Sequence, residues 1–288
     1  MPTPTDPQRE HPSTYFVQDR SNEEEMRRLQ IQDQMITSDM GGVLPEQDNP
    51  ASFHRVLDVA CGVGYWLIEL AKAYPTMTLL IGVDVSASMV EYAREQAKAE
   101  GVSERVEFHT MDALRMLEFP NNYFDLANER VASSFLRTWD WPKFLQELLR
   151  VTRPDGTIRL TEVESVPECN SAALSRLFEL MAQAFYQSGH TFTPDSSNQI
   201  DEIVRLTRQA GLRQIQTRPY IREYRGGTPE GQHFAEDMQM VFRTIAPFVR
   251  KWVHVSEDYD VIYQQAVNDM HQPDFVGTGR IHTIWGIK

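Results

Sequence analysis

Two cysteines in 288 residues are too few for a disulfide framework, and neither Cys61 nor Cys169 stands at zinc-ligand spacing from a histidine. No metal site is expected, and a reducing compartment is. No apolar run is long enough to cross a bilayer. The N-terminus has no apolar signal core. A cytoplasmic location without a membrane partner is the expectation. Positive charge is scarce as well: 28 Lys and Arg stand against 41 Asp and Glu, a net charge of -13. Phosphate polymers would be repelled, so no nucleic-acid partner is expected, although a local basic pocket stays compatible. What is present is a hydrophobic content of 41%. That supports one substantial domain with insertions, or two small ones.

The chain is organised around Val56-Leu57-Asp58-Val59-Ala60-Cys61-Gly62-Val63-Gly64-Tyr65-Trp66. A short apolar run with one acid leads into a small, glycine-containing turn, and an apolar-periodic segment follows. This pattern reads as a buried strand, a tight turn and a helix start. The new helix presents unpaired N–H groups at the turn, where a ligand can approach closely. A phosphate-binding P-loop would need Gly-Lys-Ser/Thr after the glycines, and none follows. A dinucleotide fingerprint would need a third glycine where Leu67 stands. What remains is Asp-x-Ala-x-Gly-x-Gly.

This stretch resembles motif I of the class I S-adenosylmethionine-dependent methyltransferases, with Ala60 in place of the first glycine. The resemblance implies an α/β fold: a Rossmann-like seven-stranded methyltransferase sheet with helices on both faces, an N-terminal helical lid and helical insertions. It also implies S-adenosyl-L-methionine as cofactor, bound at Asp58, Ala60, Gly62 and Gly64. A second apolar strand ends in Asp84. An acid there can hold a ribose in a parallel sheet, or simply cap the next helix. Its distance from Gly62 matches the family's ribose acid, with Val85 and Met89 beside it. Val106, Phe108 and Thr110 alternate in a third strand, after which Asp112 resembles the family's adenine-binding acid, walled by Met111 and Ala113. A fourth strand, Tyr123 to Asn128, continues into a lip where Asn128 and Arg130 could meet the cofactor. Turn residues Arg153-Pro154-Asp155-Gly156 precede a fifth strand to Glu162.

Residues 1–14 read as a disordered tail. Residues 15–50 read as a helical lid, with Ser21 and Glu24 as a capping box, a loop from Thr37 to Glu46, and Met40 and Gly41 assigned to the cofactor. Residues 51–165 form the cofactor-binding core. Residues 166–288 supply substrate-cap helices and closing strands of the same domain, with Ser256 as a helix cap. In that last region Leu174, Leu177, Phe178, Met181 and Phe185 make one helical stripe. Phe234 to Trp252 repeats at helical spacing, and Pro219 marks a bulge or edge in a strand from about Gln214.

The expected function is transfer of the methyl group to an O, N or C atom of a small metabolite, in the manner of secondary-metabolism enzymes. Attack on a sulfonium methyl is an in-line displacement, and holding the partners aligned can contribute ~7–11 kcal/mol. An O–H or protonated N acceptor also needs a base. His190, His233 and Glu129 are the candidates, and Tyr186, Phe192 and Trp252 are candidate aromatic walls. The apolar insertions suit a closed small-molecule pocket and equally a homodimer face. Two alternatives share the pocket: chemistry that uses the sulfonium charge without methyl transfer, and a non-catalytic cofactor-binding protein.

Overall fold

The computed structural model describes residues 15–16, 23–164, 168–255 and 258–288. The proposed caps Ser21 and Ser256 and the tail 1–14 lie outside that range. Five parallel strands form the heart of the sheet: β1 (Arg55–Val59), β2 (Leu79–Asp84), β3 (Val106–Thr110), β4 (Phe124–Arg130) and β5 (Thr152–Val163). Their spatial order is β3-β2-β1-β4-β5. Beyond β5 the long β8 (Val276–Ile287) runs antiparallel, and β7 (Arg213–Arg225) pairs antiparallel with β8.

Successive residues of the inner strands face opposite layers, and both layers are apolar. Val56 and Leu80 pack with Leu67 of α2 (Tyr65–Ala73) and Val90 of α3 (Ala87–Ala99). Leu57 and Ile81 pack on the other face with Trp141, Leu145 and Leu148 of α4 (Trp141–Val151), and with Ile203 of α6 (Gln199–Ala210). The buried positions of α4 recur every three or four residues, giving one wide apolar stripe. A separate apolar cluster joins α5 (Ala172–Gln187), α7 (Pro229–Thr244), α8 (Ala246–Trp252) and α9 (Tyr259–Met270). The first helix, α1 (Glu23–Met40), lies against α7 and α2. Among the described residues no helix is long and apolar enough to cross a membrane.

Several boundaries differ from the sequence expectation, each for a local reason. The sheet has eight strands, not seven: β6 (Glu168–Cys169) pairs with Thr278 and Gly277, along the edge of β8 that β5 occupies. The segment from Thr37 continues α1 as far as Met40, where Gly41 and Gly42 adopt positive φ and their N–H groups reach Ser38 O and Thr37 O. The expected turn at 153–156 is instead part of β5, with Asp155 at φ +57 and a register shift opposite Phe124 to Leu126. The apolar repeat from Phe234 to Trp252 divides at Ile245 into α7 and α8, with Pro247 near the start of α8, where a missing N–H is tolerated. Pro219 sits in β7, which pairs with β8 alone, while the β7 irregularity falls between Arg213 and Gln216.

Candidate cofactor and acceptor site

The carboxyl ends of β1, β2 and β3 each deliver an acid to one cavity: Asp58, Asp84 and Asp112. The cavity has a volume of about 240 Å³. It lies beside the point where the strand order reverses, between β1 and its neighbours β2 and β4. Open parallel sheets bind ligands at that crevice. Three left-handed residues shape the turn after β1, Ala60 (φ +59), Gly62 (φ +52) and Gly64 (φ +76). Above Gly62 the space is open: a Cβ there would find nothing nearer than Leu29 Cδ1 at 3.9 Å. Gly64 is different, because a Cβ would meet Phe108 at 2.5 Å and Ala93 at 2.8 Å. One glycine leaves room for a ligand and the other lets α2 close onto the sheet.

Asp84 is buried and doubly anchored. Gly62 N–H donates to its Oδ2 at 3.0 Å, and Ser86 N–H to its Oδ1 at 2.9 Å. Ser86, rather than Asp84, accepts from the Met89 N–H to cap α3. Asp112 accepts from Leu114 N–H at 2.9 Å, between Met111 and Ala113 on the cavity wall. At the other end Asp58 accepts from Asn128 Nδ2 at 2.7 Å. Asn128 in turn accepts from Arg159 Nη1, whose Nε donates to Glu46 at 2.8 Å. This chain of side chains is buried, so its members restrain one another. Burial pushes the Asp58 carboxyl up to about 7 against the pull of Arg130 and Asn128. Arg130 reaches from β4 to α1, donating to Asp33 at 2.5 Å and Thr37 at 3.2 Å.

Residues 56–156 match the sequence profile of the methyltransferase domain family. The chain is similar to methyltransferase GfsG of Streptomyces halstedii, with 31% identity over 42% of this chain and 41% of that protein. It is also similar to the demethylmenaquinone methyltransferase of Geobacillus kaustophilus (strain HTA426), at 26% identity over 58% of this chain and 74% of that protein. Over residues 56–156 the chain is thus similar to the class I S-adenosylmethionine-dependent methyltransferases. The ajmaline N-methyltransferase of Rauvolfia serpentina is 34% identical over 38% of this chain and 37% of its own length. This chain therefore spans less than half of two of these relatives. The crystal structure of YcgJ from Bacillus subtilis shares the fold, with a TM-score of 0.51 and 23% identity over 82% of this chain and 92% of that one.

The residues lining this cavity fit S-adenosylmethionine. The open space over Gly62 admits a ligand against the backbone, and Asp84 and Asp112 offer acceptors on either side of an apolar wall containing Met89 and Met111. The acids lining the cavity outnumber Arg28 and Arg130, its two arginines, which favours a sulfonium cation. Asp58, Ala60, Gly62, Asp84, Val85 and Met89 all line the cavity, as do Met111, Asp112, Ala113 and Arg130. Gly64 lies beneath the turn, and Asn128 stands behind Asp58. Met40 packs with Ile36 and Ile281, and Gly41 ends α1. These four residues are not in the cavity wall.

The acceptor half is lined by Phe16, Phe178, Met181, Phe185, Met238 and Val241, all apolar. The expected bases sit elsewhere. His190 is buried between Phe185 and Phe248, with its Nδ1 2.8 Å from Ser188 Oγ. His233 is exposed on α7, and Tyr186 is exposed on α5. Phe192 and Trp252 do not line the cavity either. Glu129 is fully buried behind the wall, and neither of its oxygens has a hydrogen-bond partner among the described residues. A buried carboxyl that does line the cavity is Glu162, near the end of β5, with the half-buried Glu164 two residues beyond it. Sequence reading passed over Glu162 as the last residue of a strand. Its signal was an acid near the carboxyl end of an inner strand, the position that marked Asp84.

Proposed function

We propose that the chain transfers the methyl group of S-adenosylmethionine to a small, largely apolar metabolite. One observation carries this reading: a single cavity is lined both by the acids at the ends of β1, β2 and β3 and by an apolar wall from α5 and α7. Relatives named for demethylmenaquinone and ajmaline act on small molecules, and the same class is assigned here. The cofactor, when bound, supplies an activated methyl on a sulfonium. Asp84 and Asp112 orient the adenosyl end, and the Asn128–Arg159–Glu46 network fixes Asp58 at the methionine end. The helices α5, α7, α8 and α9 form a cap that keeps water from the acceptor, while α1 closes the side through Leu29, Gln32 and Asp33. Exclusion of water and fixed geometry are the main contributions open to this chain.

The test is a screen of apolar metabolites with S-adenosylmethionine carrying an isotopically labelled methyl. One labelled product per S-adenosylhomocysteine formed is expected. Conversion of a metabolite without S-adenosylhomocysteine would assign the pocket to non-methylating chemistry instead.

A further inference from the structure

We propose that Glu162 receives the acceptor's nitrogen, and that the acceptor is therefore a hydrophobic amine. This inference rests on the methyl-transfer reading above. Glu162 is 1% exposed and lines the same cavity as Phe178, Met181 and Phe185. Ser133 N–H donates to both its oxygens, at 3.3 and 3.4 Å. The Ser133 side chain and the Ala132 N–H bond it too. Those donors are aimed by Val131, a β-branched residue held at φ +65 and ψ +39. Such a residue rarely adopts that conformation, and the strain persists only where surrounding structure imposes it. Here the Val131 N–H is fixed to Thr161 O at 2.7 Å, which turns the following N–H groups back onto β5. Gln199 holds Ser133 from the far side at 2.9 Å. The carboxyl is positioned, not incidental.

A second acid selects a cation over a neutral hydroxyl. Glu129 stands opposite Leu160 across the parallel ladder, so Glu162, two residues further, lies diagonally beside it on the same sheet face. Glu129 has no hydrogen-bond partner among the described residues and is pushed well above the usual carboxylate range, by burial first and the Glu162 charge second. Burial raises Glu162 to about 7. Burial biases both carboxyls toward the protonated form. An ammonium group would balance the charge when Glu162 ionises. The step closes as follows. Glu162 takes a proton from the ammonium. The freed nitrogen lone pair forms the N–C bond to the methyl carbon. The C–S bond breaks with its electron pair on sulfur, leaving a thioether, a methylated ammonium and a protonated Glu162. Other ionisable groups sharing the cavity or this sheet face are Arg130 on β4, Glu164 on β5, His282 opposite Glu162 on β8, Asp58 on β1, Cys61 in the turn after it, Asp84 on β2, Asp112 after β3, Tyr15, and Arg28 and Asp33 on α1.

The experiment titrates 4-phenylbutylamine and 4-phenylbutyrate into the full chain by calorimetry, with and without S-adenosylhomocysteine, from pH 6 to 8. The amine is expected to bind roughly tenfold or more tightly than the carboxylate, and more tightly as pH rises through about 7. Glu162→Gln is expected to abolish the preference while keeping S-adenosylhomocysteine affinity within about twofold. If that variant fails to fold, the pH dependence in the unaltered chain decides. No amine binding, equal binding of both probes, affinity independent of pH, or a preference that survives in Glu162→Gln would overturn the assignment. Failure of S-adenosylhomocysteine to bind would instead count against the cofactor reading, and the two-probe comparison would still be readable.

Discussion

At the scale of single residues, the two turn glycines do different work and should fail differently. Gly64→Ala places a Cβ against Phe108 and Ala93 and adds left-handed strain. A loss of roughly 2–4 kcal/mol in denaturant unfolding is expected. Gly62→Ala meets open space, so stability should fall by only about 1 kcal/mol while S-adenosylhomocysteine affinity drops by more than in any distant control. Equal stability losses in both would contradict this division. Asp84→Ala removes a buried acceptor on the cavity wall, and roughly 10- to 100-fold weaker cofactor binding is expected by calorimetry. Asp58, Asp84 and Asp112 were legible in the sequence through the order and spacing of the motifs that carry the family resemblance, and the structure gathers them at one cavity. Asn128 was legible as important but not in role, since only the fold shows it bonded to Arg159 behind the wall. Glu46 and Arg159, far apart in sequence, carry no local signal of their buried pairing.

At the scale of elements, the position of α1 rests on charge pairs as well as apolar contact. Arg28 donates to Glu25 and Tyr15, and reaches Asp237 on α7 at 3.5 Å. All four side chains belong to a cluster in which Glu25, Arg28 and Asp237 are buried. Removing one partner leaves buried charge uncompensated. Arg28→Ala is therefore expected to destabilise by roughly 3–5 kcal/mol and to raise hydrogen exchange in α1 and α7 ahead of β1 and β4. Uniform exchange across all four elements would argue against that docking. The same paired arginine could not be foreseen, because α1 alone reads as a weakly apolar helix. Helix periodicity did locate α5, through the stripe from Leu174 to Phe185. It merged α7 with α8, because the apolar spacing continues across the break at Ile245. The edge strand β7 carries Arg213, Arg218, Arg222 and Arg225 along with Pro219, which guards its free side against pairing with other chains.

At the scale of the whole molecule, an unusual number of buried carboxyls have raised values. Burial lifts Asp58 and Glu162 to about 7 and Asp237 to about 6. The folded chain then binds protons that the unfolded chain has already released. Their stabilising contribution is complete below the ordinary carboxylate range and is lost as pH rises through 6 to 7. In the other direction, Glu46 and Asp125 are held down: burial opposes this, but Arg159 outweighs it at Glu46, and Arg55 and Arg153 bonds do so at Asp125. Their contribution is lost as pH falls below the usual carboxylate range. Maximum stability without cofactor is expected on the acid side of neutrality, with stability falling as pH rises toward 7. Thermal melts across that range check it, and a melting temperature that climbs steadily to pH 8 would contradict it.

The central claim is that the cavity at the ends of β1, β2 and β3 binds S-adenosylmethionine. Calorimetric titration of the full chain with S-adenosylhomocysteine tests it most directly. One site per chain with a dissociation constant in the micromolar range, about -8 kcal/mol, is predicted. No heat and no rise in melting temperature at millimolar ligand would contradict it.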